Sequence, residues 1–197
     1  MKNVEKNLKY IKEVKVEDIE WTKLFGAYSC GRKIGEDIKN NNLLNLKILK
    51  NIRGEIEHQS TLWTLTPFAM IFLIRQLEKE YGEKKEEYCY ILKIYKLIVE
   101  TIKDIKNEYF VEESIEDLEV YPEIRCLFNI DIDLEDFDDE EEYIEVHFEE
   151  EDLEREYNSS FYYTNFVIEN SKDIIKKLLN SEDKDIKNLA KEILENF

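Results

Sequence analysis

Glycine and proline are scarce: the chain has five glycines, all at or before Gly82, and two prolines, Pro67 and Pro122. A sequence so poor in helix breakers, and so rich in Leu, Ile, Lys and Glu, is expected to be mainly helical. Neither G-x-x-x-x-G-K nor G-x-G-x-x-G occurs, which removes the glycine-rich loops that cradle phosphates. Histidine is limited to His58 and His147, and the three cysteines, Cys30, Cys89 and Cys126, lie far apart. No C-x-x-C or Cys/His pair has zinc spacing, so neither a metal site nor a cofactor is expected, and the cysteines read as reduced thiols of a cytoplasmic protein. The longest apolar run, residues 61–74, spans about 14 residues, short of the ~20 needed to cross a bilayer. Residues 1–15 alternate lysine with single apolar residues and contain no signal-peptide core. No membrane partner is therefore expected.

Charge is abundant but unevenly placed. Of 46 acidic residues, 22 fall in residues 112–156, against two basic ones there, Arg125 and Arg155. That segment carries a net charge of −20, so the overall −18 belongs to it and the flanks are close to neutral. At 197 residues the chain is large enough for one domain with a continuous core, with 112–156 as an acidic insertion between helical segments. A field of this sign repels nucleic acid, whose binding needs a lysine and arginine face. An enzyme that acts on a nucleic-acid duplex is disfavoured on the same ground.

Apolar periodicity locates the helices. Val4, Leu8 and Ile11 give a one-sided helix, and a second short helix is expected from Asp18 through Ile19, Trp21, Leu24, Phe25 and Tyr28. Ile34 and Ile38 mark another, ended by Asn40-Asn41-Asn42, and Leu44 to Ile56 a longer one running toward His58. Thr66-Pro67 reads as N-cap and first position of a helix that is apolar all round from Phe68 to Ile74 and should sit centrally. Residues 84–106 form a long helix, residues 161–179 another, and Ser181 caps a last one. The middle differs. Ile130, Ile132 and Leu134, then Ile144, Val146 and Phe148, alternate with acidic or other polar residues. That is the period of a half-buried strand, so a β-hairpin over 125–135 and 142–149 is one expectation. A disordered acidic loop is the other, because like charges facing each other across paired strands are destabilising.

Two stretches resemble a group of bacterial HEAT-like helical-repeat proteins. Residues 178–194 (Leu178-Leu179-Asn180-Ser181, then Ile186, Leu189, Ala190, Ile193 and Leu194) look like the turn and second helix of a HEAT repeat. Ile19-Glu20-Trp21 through Ala27-Tyr28, and Ile52 to Phe72 with His58-Gln59-Ser60-Thr61, are similar to the start of such proteins. Ser29 and Ser60 stand where glycine would be usual, and Pro67 comes early. The resemblance covers about residues 18–80 and 161–197. It implies a mainly α architecture, an antiparallel helical repeat or α-solenoid, shared by many binding proteins. Small acidic proteins of this build include immunity proteins that neutralise cationic toxins, often nucleases.

Candidate chemistry is thin. His58, between Glu55, Glu57 and Gln59, has the elements of an oriented general base, but a His-Gln pair at a helix junction more simply satisfies backbone groups. A Cys30/His58 nucleophilic pair would need the fold to join them. Asp131 and Asp133 resemble the start of a calcium loop, yet no glycine or closing glutamate follows in register. The acidic run is either a solvated loop that maintains solubility or a binding element for a basic protein. The interleaved aromatics favour the second. The candidate partner-binding residues are Asp131, Asp133, Glu135, Asp136, Phe137, Asp138, Asp139, Glu140, Glu141, Glu142 and Tyr143, with no catalytic residue. An adaptor or structural scaffold for another partner remains open, as does the oligomeric state.

Overall fold

The computed structural model describes residues 2–80, 82–109, 123–128, 130–150 and 153–197. Residues 112–122, the first part of the acidic segment, lie outside the described residues, as do 129, 151 and 152. Among the described residues the fold is mainly helical, with nine α-helices and one two-residue strand pair. The helices are α1 (Lys2–Glu13), α2 (Arg32–Lys39), α3 (Leu46–Ile56), α4 (Leu65–Leu77), α5 (Lys85–Tyr109), α6 (Glu140–Glu150), α7 (Leu153–Glu169), α8 (Lys172–Leu178) and α9 (Lys184–Glu195).

Helix α4 lies at the centre, as its all-round apolar sequence requires: Leu65 to Ile71, Leu73, Ile74 and Leu77 are buried against α3, α5 and α7. It begins at Leu65, with Thr64 and not Thr66 in the flanking position. Thr66 instead ties the entry together, its hydroxyl donating to the Ile56 carbonyl at 2.6 Å and accepting the Trp63 N–H at 2.9 Å. Arg75, at the far end of α4, donates to the carbonyls of Ile11 and Val14, both at 2.6 Å. These are carbonyls that the end of α1 leaves without helical partners. Helix α5 packs on α9, and its Tyr95 hydroxyl bonds Ser171 at 2.8 Å where α7 turns into α8. The expected continuous helix over 161–179 is thus broken at Asn170 and Ser171. Asp183, not Ser181, caps α9, accepting the N–H groups of Asp185 and Ile186.

The short helix expected from Asp18 to Tyr28 is absent. Two 3₁₀ turns, Val16–Asp18 and Trp21–Lys23, replace it, followed by an extended Phe25 that pairs with Cys30. Ile19, Trp21, Leu24 and Phe25 are still buried, but by a chain that bends around them. Between α3 and α4, strands β1 (Glu57–His58) and β2 (Thr61–Leu62) form a minimal hairpin. Its turn residues Gln59 and Ser60 have φ of 52° and 60°, the left-handed conformation that favours glycine in such turns.

The expected β-hairpin over 125–135 and 142–149 is also absent. Residues Ile124–Phe128 and Leu134–Asp136 are 3₁₀ turns, and Glu140–Glu150 is helix. Charge decides the outcome. Asp139 accepts the Glu142 N–H at 2.9 Å, and Glu140, Glu141 and Glu142 occupy the first turn, where the helix dipole stabilises carboxylates. Paired strands would have set those carboxylates against one another. The buried positions of α6 are Tyr143 and His147, four apart on one helical face, whereas Ile144, Val146 and Phe148 are only half-buried.

Candidate functional site

Two packed groups meet where the acidic segment joins the helical body. Phe25, Cys30, Ile130, Leu134 and Tyr143 form a small apolar cluster separate from the main core, with Ile132, Phe137 and Ile144 around it. Tyr143 is fully buried, its ring 5.3 Å from that of Phe25 and its hydroxyl donating to the Thr22 carbonyl at 3.0 Å. One helical turn on, His147 stacks flat on Phe25 with centroids 3.5 Å apart. Its Nε2 lies 3.1 Å from a Glu156 carboxylate oxygen of α7, while Nδ1 is buried without a partner among the described residues. The Cys30 thiol donates to Glu140 at 3.3 Å, and Lys23 pairs with Asp133 at 3.0 Å. Residues 130–148 are therefore docked on the body by their own side chains.

This arrangement divides the candidate partner-binding residues. Tyr143 is an internal anchor and is not available to a partner, which corrects its expected role. Phe137 is half-buried against Tyr143, with rings 5.4 Å apart. Asp133 is engaged by Lys23, Asp139 caps α6, and half-buried Glu140 holds Cys30. Asp131, Glu135, Asp136, Asp138, Glu141 and Glu142 are exposed. From Glu135 to Glu149 there are nine carboxylates, and none forms an ion pair with lysine or arginine among the described residues.

Trp63, not singled out in the sequence as a partner contact, lies beside α6, and Tyr28 and His58 form another aromatic pair. Tyr28 is 62% exposed and Tyr157 37% exposed. The Tyr28 hydroxyl sits 2.9 Å from His58 Nδ1, with the rings edge to face at 5.1 Å. Glu55 steadies this corner: its carboxylate accepts the N–H groups of Tyr28 and Ser29 at 3.0 and 3.1 Å. Leu62 is buried, and Thr61 pairs with His58 across the hairpin. Trp63 then meets Phe148 of α6 at 5.8 Å and Tyr157 of α7 at 5.7 Å. No local sequence signal marks the contact of Trp63 with α6, which joins residues far apart in the chain.

The residues weighed for catalysis have other partners. Burial, together with the hydrogen bond to Glu140, raises the Cys30 thiol to about 11, so little thiolate forms near neutral pH. His58 is held by Tyr28. Among the described residues no group of three or more His, Cys, Asp and Glu side chains is placed to hold a metal ion. A concavity of about 520 Å³ beside α1 includes Lys6, Tyr10, Glu123 and Arg125, and no histidine, cysteine or serine of the described residues lines it. No helix of the described residues is long and apolar enough to cross a membrane. Comparison of the chain with protein-family models, with curated proteins and with solved structures finds no match.

Proposed function

We propose that this protein is a non-catalytic, HEAT-like helical scaffold that binds a basic protein through its acidic segment. The observation that carries the reading is the contrast within residues 130–149: apolar side chains fix the segment to the body, while the carboxylates of Glu135, Asp136, Asp138, Glu141, Glu142, Glu145 and Glu149 are exposed, with no lysine or arginine paired to them among the described residues. A segment serving solubility alone needs no such anchoring. Fixed carboxylates steer a cationic partner, disfavour acidic competitors and lose little entropy on binding. In its specific form the reading is an immunity protein that neutralises a basic toxin, such as a nuclease, by occupying the surface that would hold nucleic acid. The acidic face supports this form because it repeats the charge of the phosphate backbone. A location in the cytoplasm fits the reading.

The test is affinity capture from the source organism on the wild-type chain and on a variant with Glu135→Gln, Asp136→Asn, Asp138→Asn, Glu141→Gln, Glu142→Gln and Glu145→Gln. Asp139 and Glu140 are left intact because they hold α6 in place. A basic protein, with pI above about 9, should be retained by the wild type and lost from the variant. Equal retention on both, or capture of acidic proteins only, contradicts the proposal.

A further inference from the structure

We infer that the concavity where the last turns of α5 meet α7 and the end of α9 binds a small organic anion. A carboxylate or phosphate group is held by Lys103 and Lys106, and an apolar body such as an aromatic ring rests on the lining beside them. None of the residues around this concavity belongs to the acidic segment, and the inference does not depend on the protein partner proposed above.

The concavity has a volume of about 320 Å³, at the small end of the range for small-molecule sites. Part of its lining is apolar: Val99, Ile102 and Ile168 are buried side chains, and Phe197, 39% exposed, adds its ring. Helix α5 supplies Lys103 and Lys106, one turn apart, and both line the same space. Lysines near the C-terminal end of a helix interact favourably with its dipole. That accounts for their presence, but not for the partners they have.

In a chain with 46 acidic residues against 28 basic ones, these two lysines are held by neutral amides. Lys106 donates to the Asn165 side-chain carbonyl at 3.0 Å, and Lys103 to that of Asn196 at 3.4 Å. The carboxylates nearby have cations of their own. Glu169 pairs with Lys172 at 2.7 Å and Glu195 with Lys191 at 3.6 Å. Glu100, which accepts from Asn196, pairs with Lys96 at 3.8 Å. Neither Lys103 nor Lys106 forms an ion pair among the described residues, so the lining side chains leave two positive charges without counter-ions. Charge then selects the occupant. A cation is repelled, and a neutral apolar molecule would strip water from the lysines without replacing it. An anion accepts charge-assisted hydrogen bonds from them, while its apolar body covers Ile102, Ile168 and Phe197.

The experiment adds benzoate, phenyl phosphate or neutral benzyl alcohol to the intact protein at matched ionic strength and follows the side-chain amide signals of Asn165 and Asn196 by NMR. In the wild type at least one anion should shift both signals and saturate them with a Kd of about 1 mM or below. It should bind roughly fivefold or more tighter than benzyl alcohol, and the tighter of the two anions identifies the head group. Lys103→Gln and Lys106→Gln should each weaken that anion by roughly fivefold or more. Asn165→Asp should weaken it with both lysines in place, because it gives Lys106 an internal carboxylate. None of these three side chains is buried, so each variant should keep a thermal midpoint near that of the wild type. Equal binding of benzyl alcohol, lysine variants that keep the wild-type affinity, or amide signals that do not saturate with either anion would overturn the site.

Discussion

Replacing Tyr143 by alanine should release the acidic segment while leaving the helical body folded. Tyr143 is fully buried, packs between Phe25 and Phe137, and donates a hydrogen bond to the Thr22 carbonyl. Truncating a buried aromatic of this size costs about 3–5 kcal/mol. Among the described residues its cluster has Phe25, Cys30, Ile130 and Leu134 as further buried apolar members and is separate from the main core, so the loss should appear as local opening. Cys30 reports that opening. Its thiol is buried in the cluster and bonded to Glu140, and burial raises it to about 11. It should therefore react slowly with an alkylating reagent in the native state. If labelling passes through local opening, Tyr143→Ala should accelerate modification of Cys30 by roughly a hundred- to several thousandfold, followed site by site by mass spectrometry. Tyr143→Phe keeps the ring and orphans one carbonyl, a loss of about 1 kcal/mol and roughly a fivefold acceleration. Wild-type labelling rates in a folded Tyr143→Ala protein would refute the claim that this residue docks the segment.

Other substitutions probe the body. Arg75→Met removes both donors to the end of α1 and should lower stability by about 2–3 kcal/mol in urea unfolding. Gly54→Ala meets nothing within 4 Å inside α3 and should stabilise by about 0.5–1 kcal/mol. Gly35→Ala would drive its Cβ into the Trp21 ring and should cost about 1–3 kcal/mol by the same assay. Glu123 is held down to about 2 by Arg125 and by Lys6 of α1. Because its folded value lies below the ordinary one, its contribution is complete above about pH 4.5 and fades as pH falls toward 2. Glu123→Gln should remove that part of the acid-side slope in thermal midpoint, a change under about 1 kcal/mol because the pair is exposed.

Most helices were legible because their apolar stripes lie within single segments: Val4, Leu8 and Ile11 in α1, the unbroken apolar run of α4, and the stripe of α5. What escaped depended on partners distant in sequence. Trp21, Leu24 and Phe25 have helical spacing, yet Phe25 is drawn into pairing with Cys30 and its backbone N–H is taken by the Thr64 hydroxyl at 2.8 Å. In α6 the alternation of Ile144, Val146 and Phe148 imitated a strand because apolar residues also fall on partly exposed positions. The capping Asp139 and the glutamates after it carried the helix signal, and the i, i+4 pair Tyr143 and His147 carried the burial signal. The expectation that Tyr143 would face a partner failed for the same reason, since only the helical face defines what is inside. Trp63 meets Phe148 and Tyr157 through loop and helix packing that local periodicity does not encode.

The most direct test of the central claim is the salt dependence of binding to the captured basic partner, compared between the wild type and the variant neutralised at Glu135, Asp136, Asp138, Glu141, Glu142 and Glu145. Raising ionic strength from about 0.1 to about 1 M shortens the screening length from ~10 to ~3 Å. Wild-type affinity should fall steeply over that range, while the variant binds more weakly and with a nearly flat dependence. Equal affinities and equal slopes for the two proteins would contradict the account.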